Sequence, residues 1–329
     1  MKILWLLVCL FLYIQAEVDF LSQKTIEERQ KESELGYQHC LRIAQLYALP
    51  KDCNFKDITN DILEHRSTSK EARELIKNQN RTIVLFEYPS DGYCVKATLS
   101  YTPEVETAPL LLFLRGGSRI FGLMHPASSV NLLSNYTIIA PTYRGGVSGG
   151  QDEFGGDEVN DIKYLVDYIP QLEKQLGFTI RPMRKYIWGA SRGGMEMFLA
   201  LARYPYLQDW FDKSVSLSGL LDMRIVIKYR ERSKNMFIND FGLKGEDDME
   251  WIRRRNPVEQ CKKIKSNFPI LIIQGTEDNR THILEGRNMV RKLEELGKNV
   301  TYWEIEGGTH CLGNIQTTCN QMIVEWLEL

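Results

Sequence analysis

The feature that most constrains the fold of this chain is a series of short, almost wholly apolar runs that alternate with helix-length amphipathic segments. Such runs are typical of strands buried on both faces of a parallel sheet. They are Leu110–Leu114, Tyr136–Ala140, Lys185–Trp188, Ser214–Leu217, Pro269–Ile273 and Val300–Glu304. The amphipathic segments are Val159–Leu176, Gly194–Tyr204, Ile283–Leu296 and Gln316–Leu327. Strands that alternate with helices predict right-handed βαβ units, and hence an α/β fold with a doubly wound, mostly parallel sheet.

Three regions flank or interrupt this alternation. Residues 17–80 are polar and helix-prone, which predicts a helical N-terminal extension. Thr82–Tyr88 and Cys94–Tyr101 flank an Asp-Gly turn, a pattern that predicts a hairpin at the start of the main domain, residues 81–329. Residues 221–260 are charged and aromatic and lie between two predicted strands, so we expect a lid insertion there.

The first residues predict an export signal. Lys2 precedes the apolar run Ile3–Ile14, which is shorter than the roughly 20 apolar residues that span a bilayer. Ile14 and Ala16 suit a cleavage site, so we expect residues 1–16 to be a signal peptide and the mature protein to be secreted or periplasmic. An uncleaved amphipathic anchor is the alternative.

The cysteines agree with export. Without Cys9, six remain, an even number that suits an oxidising compartment. Their spacing favours three disulfides, although other pairings stay open. The favoured pairs are Cys40–Cys53, Cys311–Cys319 and Cys94–Cys261. Metal binding is the competing interpretation, but the sequence contains neither a CxxC pair nor an HExxH motif, and no metal or cofactor is predicted.

The balance of charge argues against a nucleic-acid partner. The chain has 41 basic and 43 acidic side chains and a net charge of −2, whereas nucleic-acid binders carry a basic excess or a concentrated basic stripe. The one short basic run, Arg253–Arg255, is expected to be a solvated helix end.

One predicted strand ends in a nucleophile motif. Gly189-Ala190-Ser191-Arg192-Gly193 follows an apolar run and precedes a helical segment. This G-x-S-x-G pattern is typical of a nucleophile elbow, a sharp strand-to-helix turn that needs glycines on both sides of the serine. The N–H of Arg192, at the helix N-terminus, would stabilise a developing oxyanion. Ser148 sits in a second match to the pattern, but in a glycine-rich loop without a strand before it or a helix after it, so we favour Ser191.

An acid and a histidine follow two later strands, in the order serine, acid, histidine that such an elbow requires. Asp278 follows the run that ends at Ile273, and His310 follows the strand around Tyr302. Each alone has an ordinary explanation as a turn or surface residue, but their order and places together predict a catalytic triad. Glu277 is the rival acid. Four other histidines fit less well: His39, His65, His125 and His282.

With these residues in view, the chain resembles the catalytic domain of the prolyl oligopeptidase family of serine peptidases over residues 82–329. The matching segments, in the family's order, are Ser90–Gly92, Arg115–Gly117, Tyr143–Gly146, Phe154–Asp161, Gly189–Gly194, Asn256-Pro257, Gln274–Asp278 and Gly307–His310. The resemblance implies an α/β-hydrolase fold and hydrolysis through an acyl-enzyme on Ser191, Asp278 and His310.

Two features depart from the classical members of that family. At most about 65 mature residues precede the domain, too few for the family's β-propeller at roughly 40 residues per blade, so selection of peptides by size is not implied. Classical members also carry a tyrosine whose hydroxyl completes the oxyanion hole. Arg115 stands at that position here, so the second donor is expected to be a backbone N–H near Gly116 or Gly117, or the guanidinium itself.

Several arginines lie shortly after the carboxyl ends of predicted strands, near the predicted site: Arg115, Arg144, Arg192 and Arg280. Arg115 and Arg144 are candidate substrate-binding residues, because a planar guanidinium can hold a carboxylate or phosphate in a bidentate pair. The alternative is internal pairing with the acidic residues of one nearby segment, which are Asp152, Glu153, Asp157 and Glu158.

These inferences favour a serine hydrolase of the peptidase type, whose expected partner is a peptide or small-molecule substrate. A carboxylesterase or other acyl hydrolase is the alternative, because the same triad serves esters. A non-catalytic binding protein that uses the lid is a third hypothesis, and the complete triad argues against it. The oligomeric state stays open.

Overall fold

The computed structural model describes residues 26–105, 107–128, 134–177, 179–180 and 182–329, so the predicted signal peptide lies outside it. The described strands are β1 (Phe55–Asp57), β2 (Thr82–Ser90), β3 (Tyr93–Tyr101), β4 (Leu110–Leu114), β5 (Thr137–Pro141), β6 (Lys185–Ala190), β7 (Lys213–Leu217), β8 (Ile270–Gly275) and β9 (Val300–Ile305). They form one sheet in the order β1-β2-β3-β5-β4-β6-β7-β8-β9. From β5 to β9 all neighbours are parallel, while β1, β2, β3 and β5 pair antiparallel, which confirms the mostly parallel sheet.

Helices cover both faces of this sheet. Their bounds are α1 (Ile26–Gln45), α2 (Thr59–Glu64), α3 (Lys70–Asn78), α4 (Val159–Leu176), α5 (Arg192–Arg203), α6 (Leu207–Trp210), α7 (Met223–Tyr229), α8 (Glu231–Phe241), α9 (Met249–Arg255), α10 (Pro257–Gln260), α11 (Ile283–Glu295) and α12 (Gln316–Glu328). Strand β4 shows why the runs are apolar. Leu110, Leu112 and Leu114 join one hydrophobic core, while Leu111 and Phe113 join another on the opposite face.

The N-terminal extension packs on the sheet through a third hydrophobic cluster. Ile43 of α1 and Ile62 of α2 are buried there against Ile83 of β2 and Leu123, which lies in the loop after β4. The extension is not wholly helical, because Phe55–Asp57 forms the edge strand β1 against β2. Three residues are too few for a sequence pattern to predict a strand, and the pairing partner lies in a different region of the chain.

The predicted insertion at residues 221–260 consists of helices α7, α8, α9 and α10 between β7 and β8. An aromatic contact attaches it to the main domain: the Phe154 ring lies 5.1 Å from the Phe237 ring, measured between centroids. A lid function for these helices stays a prediction.

The described cysteines form no disulfide. All six of the cysteines within the described ranges are free thiols, so the pairs Cys40–Cys53, Cys311–Cys319 and Cys94–Cys261 are not supported. Cys94 is exposed on β3 and Cys261 is buried in the hydrophobic core. Spacing along the chain could not predict that difference in environment.

Candidate active site

Ser191 sits on a strained turn between β6 and α5. Its φ of 54° and ψ of −123° are sparsely populated for a residue with a side chain, which is typical of a nucleophile elbow. The flanking glycines make this turn possible. A Cβ on Gly189 would lie 2.1 Å from the Gly193 carbonyl oxygen, and one on Gly193 would lie 1.9 Å from that of Leu114. The predicted elbow is therefore present with its predicted packing.

Asp278 and His310 are in direct contact. His310 Nδ1 lies 2.9 Å from each carboxylate oxygen of Asp278. The Asp278 side chain is fully buried, whereas that of His310 keeps 16% of its surface exposed. An acid that holds Nδ1 leaves Nε2 available as a base. The rival acid, Glu277, is exposed.

Two residues to which the sequence had assigned no role hold Asp278 in place. Thr281 donates to it from both its N–H, at 2.9 Å, and its hydroxyl, at 2.7 Å. Gln274 Nε2 donates to the same carboxylate at 3.2 Å and also to the Thr281 carbonyl. Burial alone would raise the pKa of Asp278, but hydrogen bonds from His310 and Thr281 lower it to about 2. The signal that could have found Thr281 is an aspartate whose side chain caps the backbone two and three residues later.

The sheet brings these groups to one edge. Ser191 follows β6, Asp278 follows β8 and His310 follows β9, and these strands lie in the order β6-β7-β8-β9. Ser218, after the intervening β7, accepts a hydrogen bond at 3.0 Å from the N–H of Cys311, next to His310. The four histidines that fitted less well lie elsewhere: His65 contacts His125, His282 caps α11 and His39 is exposed.

The predicted oxyanion groups lie beside Ser191. A Cβ on Gly116 would come within 3.0 Å of the Ser191 Cβ and 3.4 Å of its Oγ. Gly117 adopts a left-handed φ of 69°, where any Cβ would meet the Phe121 carbonyl at 2.2 Å. Arg192 is the first residue of α5, so its N–H has no acceptor within the helix.

Arg144 has internal partners and does not support the prediction of substrate binding. Its guanidinium is buried and donates to Asp161 at 2.7 Å and to Asp91 at 2.8 Å. Because these carboxylates lie in α4 and the β2–β3 turn, they were not among the partners that the sequence analysis considered.

Arg115 is also buried, and its five guanidinium hydrogen bonds all go to backbone carbonyls. The acceptors are Thr142, Gly116, Phe121 and Arg119, with Thr142 accepting twice. Five N–H groups are all that a guanidinium has, so none is left for a substrate carboxylate or an oxyanion. The structure thus supports neither role for this side chain.

The guanidinium of Arg192 forms a buried cluster of ion pairs with three carboxylates. Its guanidinium donates at 2.8 Å to Asp152 and Glu196, and at 2.6 Å to Glu158. Asp152 and Glu158 were predicted partners, whereas Glu196 was not. Burial and the neighbouring Glu158 raise the pKa of Glu196. Arg280 differs from these three arginines, because it is exposed and its N–H donates to Asp278.

The hydroxyl of Ser148, in the second G-x-S-x-G match, takes part in hydrogen bonds to neighbouring residues. Its Oγ accepts from the N–H of Lys96 at 2.8 Å and lies 2.7 Å from the Thr142 hydroxyl. These two contacts give the Ser148 hydroxyl a structural role. This agrees with the choice of Ser191.

The described ranges contain neither a membrane-spanning helix nor a cluster of metal-ligating side chains. Within them, no helix is long and apolar enough to cross a membrane. Nor do three or more His, Cys, Asp or Glu side chains in those ranges group as metal ligands would.

Comparisons with known proteins match this fold and these motifs. The model of the prolyl oligopeptidase family matches residues 128–328, more than half of the chain. The uncharacterised peptidase YtmA of Bacillus subtilis is 29% identical over 229 residues, which are 68% of this chain and 84% of that protein. The acylamino-acid-releasing enzyme of Arabidopsis thaliana is 24% identical over 64% of this chain but only 28% of its own length.

Solved structures agree on the fold. The acylaminoacyl peptidase of Pyrococcus horikoshii superposes with a TM-score of 0.60 at 22% identity, covering 74% of this chain and 41% of that one. The Pyrococcus furiosus esterase Pf2001 gives 0.57 at 16% identity, covering 77% of this chain and 93% of that one. The predicted α/β-hydrolase fold is confirmed, and so is the predicted family. The chain belongs to the prolyl oligopeptidase family and is a serine hydrolase of the peptidase type.

Proposed function

We propose that Ser191, His310 and Asp278 form the catalytic triad of a serine peptidase. The observation that carries the proposal is the His310–Asp278 contact of 2.9 Å at the same sheet edge as the strained Ser191. Ser191 Oγ attacks the substrate carbonyl carbon while His310 Nε2 takes the hydroxyl proton. His310 then returns that proton to the leaving amine, and water repeats the sequence on the acyl-enzyme. Asp278 stays ionised throughout, because its pKa lies at about 2.

The proposed substrates are short peptides or amino-acid derivatives. Relatives named as peptidases and as acylamino-acid-releasing enzymes support this choice. The chain spans less than half the length of the acylaminoacyl peptidases that it matches. Their acylated amino-acid substrates are therefore candidates to be tested on this chain. Carboxylesterase activity is the alternative, since a triad of this geometry also cleaves esters.

Matched chromogenic substrates test this proposal. Aminoacyl anilides, with free and with acylated amino groups, are compared with short-chain nitrophenyl esters for kcat/KM, with Ser191→Ala as the control. We expect anilide hydrolysis that disappears in Ser191→Ala. Hydrolysis of esters alone would replace the peptidase by an esterase, and anilide hydrolysis that survives in Ser191→Ala would contradict the triad.

We also propose that residues 1–16 direct export, on the strength of Lys2 and the apolar run after it. N-terminal sequencing of the protein after expression in a secreting host tests this proposal. A mature N-terminus at residue 17 is expected, and an intact N-terminus inside the cell would contradict it. The predicted disulfides belong to the same proposal, and counting reactive thiols in the exported protein decides whether they form.

A further inference from the structure

The loop after β4 contains a series of carbonyl groups that are held by two arginines. We call residues 116–122 the oxyanion loop. Within it, Arg115 Nη1 donates to the Gly116 carbonyl at 2.9 Å and to the Phe121 carbonyl at 3.2 Å, while Nη2 donates to that of Arg119 at 2.8 Å. One guanidinium therefore gathers three carbonyl groups of a single loop on one side.

The second arginine holds the next carbonyl along the chain. Arg192 Nη1 donates to the Gly117 carbonyl at 3.0 Å. The guanidinium of Arg192 is itself fixed by Asp152 and Glu158, both of which have fully buried side chains. The carbonyls of Gly116 and Gly117 thus each have a cationic donor that packing prevents from moving.

A held carbonyl also fixes the N–H of the following residue. The peptide bonds of the described residues are all trans, and in a trans peptide the C=O and N–H point in opposite directions. Fixing the Gly116 carbonyl against Arg115 therefore turns the Gly117 N–H away from Arg115. Among the described residues this N–H has no hydrogen-bond acceptor, while the Gly116 backbone lies against Ser191.

We propose that Arg115 and Arg192 are positioning residues, which orient the oxyanion loop so that the Gly117 N–H joins the Arg192 N–H as the second donor of the oxyanion hole. The proposal rests on the proposed function, since it needs an oxyanion to form on the Ser191 adduct. It assigns to Arg115 a role through the backbone, at a position where classical family members use a side-chain hydroxyl.

The chemistry explains why an arginine stands there. A guanidinium offers five N–H groups in a rigid planar fork, whereas an ammonium offers three around a point. Arg115→Lys keeps the charge but cannot hold Thr142 and the carbonyls of the oxyanion loop together. Because the oxyanion exists only after attack, a misdirected N–H lowers kcat and leaves KM nearly unchanged.

Arg81 provides a matched control at the opposite edge of the sheet. It is equally buried, and its guanidinium also binds backbone carbonyls, those of Ser100, Ser134 and Tyr136. Arg81→Lys therefore measures what the loss of a buried carbonyl-binding fork costs in stability alone.

The test measures kcat, KM, Tm and the affinity of a peptidyl boronate for the wild type, Arg115→Lys and Arg81→Lys. We expect Arg115→Lys to lower kcat and boronate affinity by about 10- to 100-fold at constant KM, since loss of a whole oxyanion donor costs about 10²–10³-fold. Arg81→Lys should lower Tm comparably but leave kcat and boronate affinity unchanged. Equal effects of the two variants on kcat, or a change in KM alone, would overturn the proposal.

A measurement on the wild type keeps the proposal testable if Arg115→Lys does not fold. In protein labelled with ¹⁵N-glycine, the Gly117 amide proton should shift strongly downfield when the boronate adduct forms. A shift at Gly116 with none at Gly117 would overturn the assignment. Activity on esters alone would contradict the peptidase assignment but leave both of these tests intact. A wild type that forms no boronate adduct and hydrolyses neither anilides nor esters would contradict the triad and this proposal together.

Discussion

Two histidine pairs lie in two regions of this molecule, and they have opposite electrostatic characters. At the sheet edge, His310 contacts the carboxylate of Asp278. Beside the N-terminal extension, His125 Nε2 lies 3.1 Å from His65 Nδ1. A carboxylate partner stabilises a protonated imidazole, whereas a histidine partner excludes it. The same kind of side chain therefore lies in two different electrostatic environments, which are set by its partner.

The hydrogen bonds of the second pair show why it stays neutral. His65 Nδ1 accepts from the N–H of Ser67, and His125 Nδ1 accepts from that of Ala127. A proton on either Nδ1 would face another N–H. Burial, together with the neighbouring His65, lowers the pKa of His125 to about 4. Burial also lowers the pKa of His65, as do the charges of Arg66 and Arg42, although a hydrogen bond to the Arg42 backbone raises it. The charge of Arg73 lowers the pKa of His125.

The largest predicted difference between the two pairs is in catalysis. His310→Gln should lower kcat by about 10⁴-fold or more, because serine needs a base to remove its proton. His125→Gln keeps a donor toward His65 and should leave kcat within a few-fold of the wild type. Steady-state kinetics on one substrate compare them, and a similar loss in both variants would break the distinction.

A smaller effect is expected at the support of the catalytic pair. Thr281→Val removes the hydroxyl that donates to Asp278 at 2.7 Å and keeps the side-chain shape. A hydrogen bond to a charged group contributes about 1.5–3 kcal/mol, so we expect kcat to fall by about 10- to 100-fold. Glu277→Gln, at the exposed neighbour of Asp278, serves as the control, and an equal loss there would reinstate Glu277 as the acid.

The two pairs should also respond to acid in separate pH windows. The native pKa of His125 is lowered from 6.5 to about 4, so its contribution to stability is complete above pH 6.5 and is lost as the pH falls toward 4. The native pKa of Asp278 is lowered from 3.8 to about 2. Its contribution to stability is therefore complete above about pH 4 and is lost as the pH falls toward 2.

Thermal unfolding as a function of pH measures this difference. Between pH 6.5 and 4 the wild type should lose about 1 kcal/mol more than His125→Gln, after allowance for the partial solvent exposure of the pair. That corresponds to a relative change in Tm of about 2 °C. Parallel curves for the two proteins would show that the histidine pair does not titrate in this window.

The smallest effect concerns a serine that lies away from both pairs. Ser148→Ala removes the acceptor of the Lys96 N–H and should cost about 1 kcal/mol of stability, without any change in kcat. Chemical unfolding and kinetics measured together check this prediction. Lost activity in a stable Ser148→Ala protein would contradict the structural role of this serine.

The sequence could predict what depends on local pattern and strand order. Leu110–Leu114 and Val159–Leu176 have the predicted bounds, because a strand buried on both faces and a long amphipathic helix leave strong periodic signals. The places of Ser191, Asp278 and His310 follow from the rule that parallel strands end at one edge.

What the sequence could not predict depends on contacts between distant residues. Arg144 pairs with Asp161 and Asp91 across three elements, and no spacing rule connects them. The pairing of His65 with His125 is equally distant in sequence. Arg115 was expected to face the substrate, but its side chain turns back onto its own loop, a choice that only the folded backbone decides.

The most direct test of the central claim is to locate the reactive serine. The wild type, Ser191→Ala and Ser148→Ala are treated with a fluorophosphonate, and the labelled peptide is identified by mass spectrometry. Labelling of Ser191 in the wild type and in Ser148→Ala, with none in Ser191→Ala, is the predicted result. Labelling that persists in folded Ser191→Ala, or that disappears in folded Ser148→Ala, would contradict it.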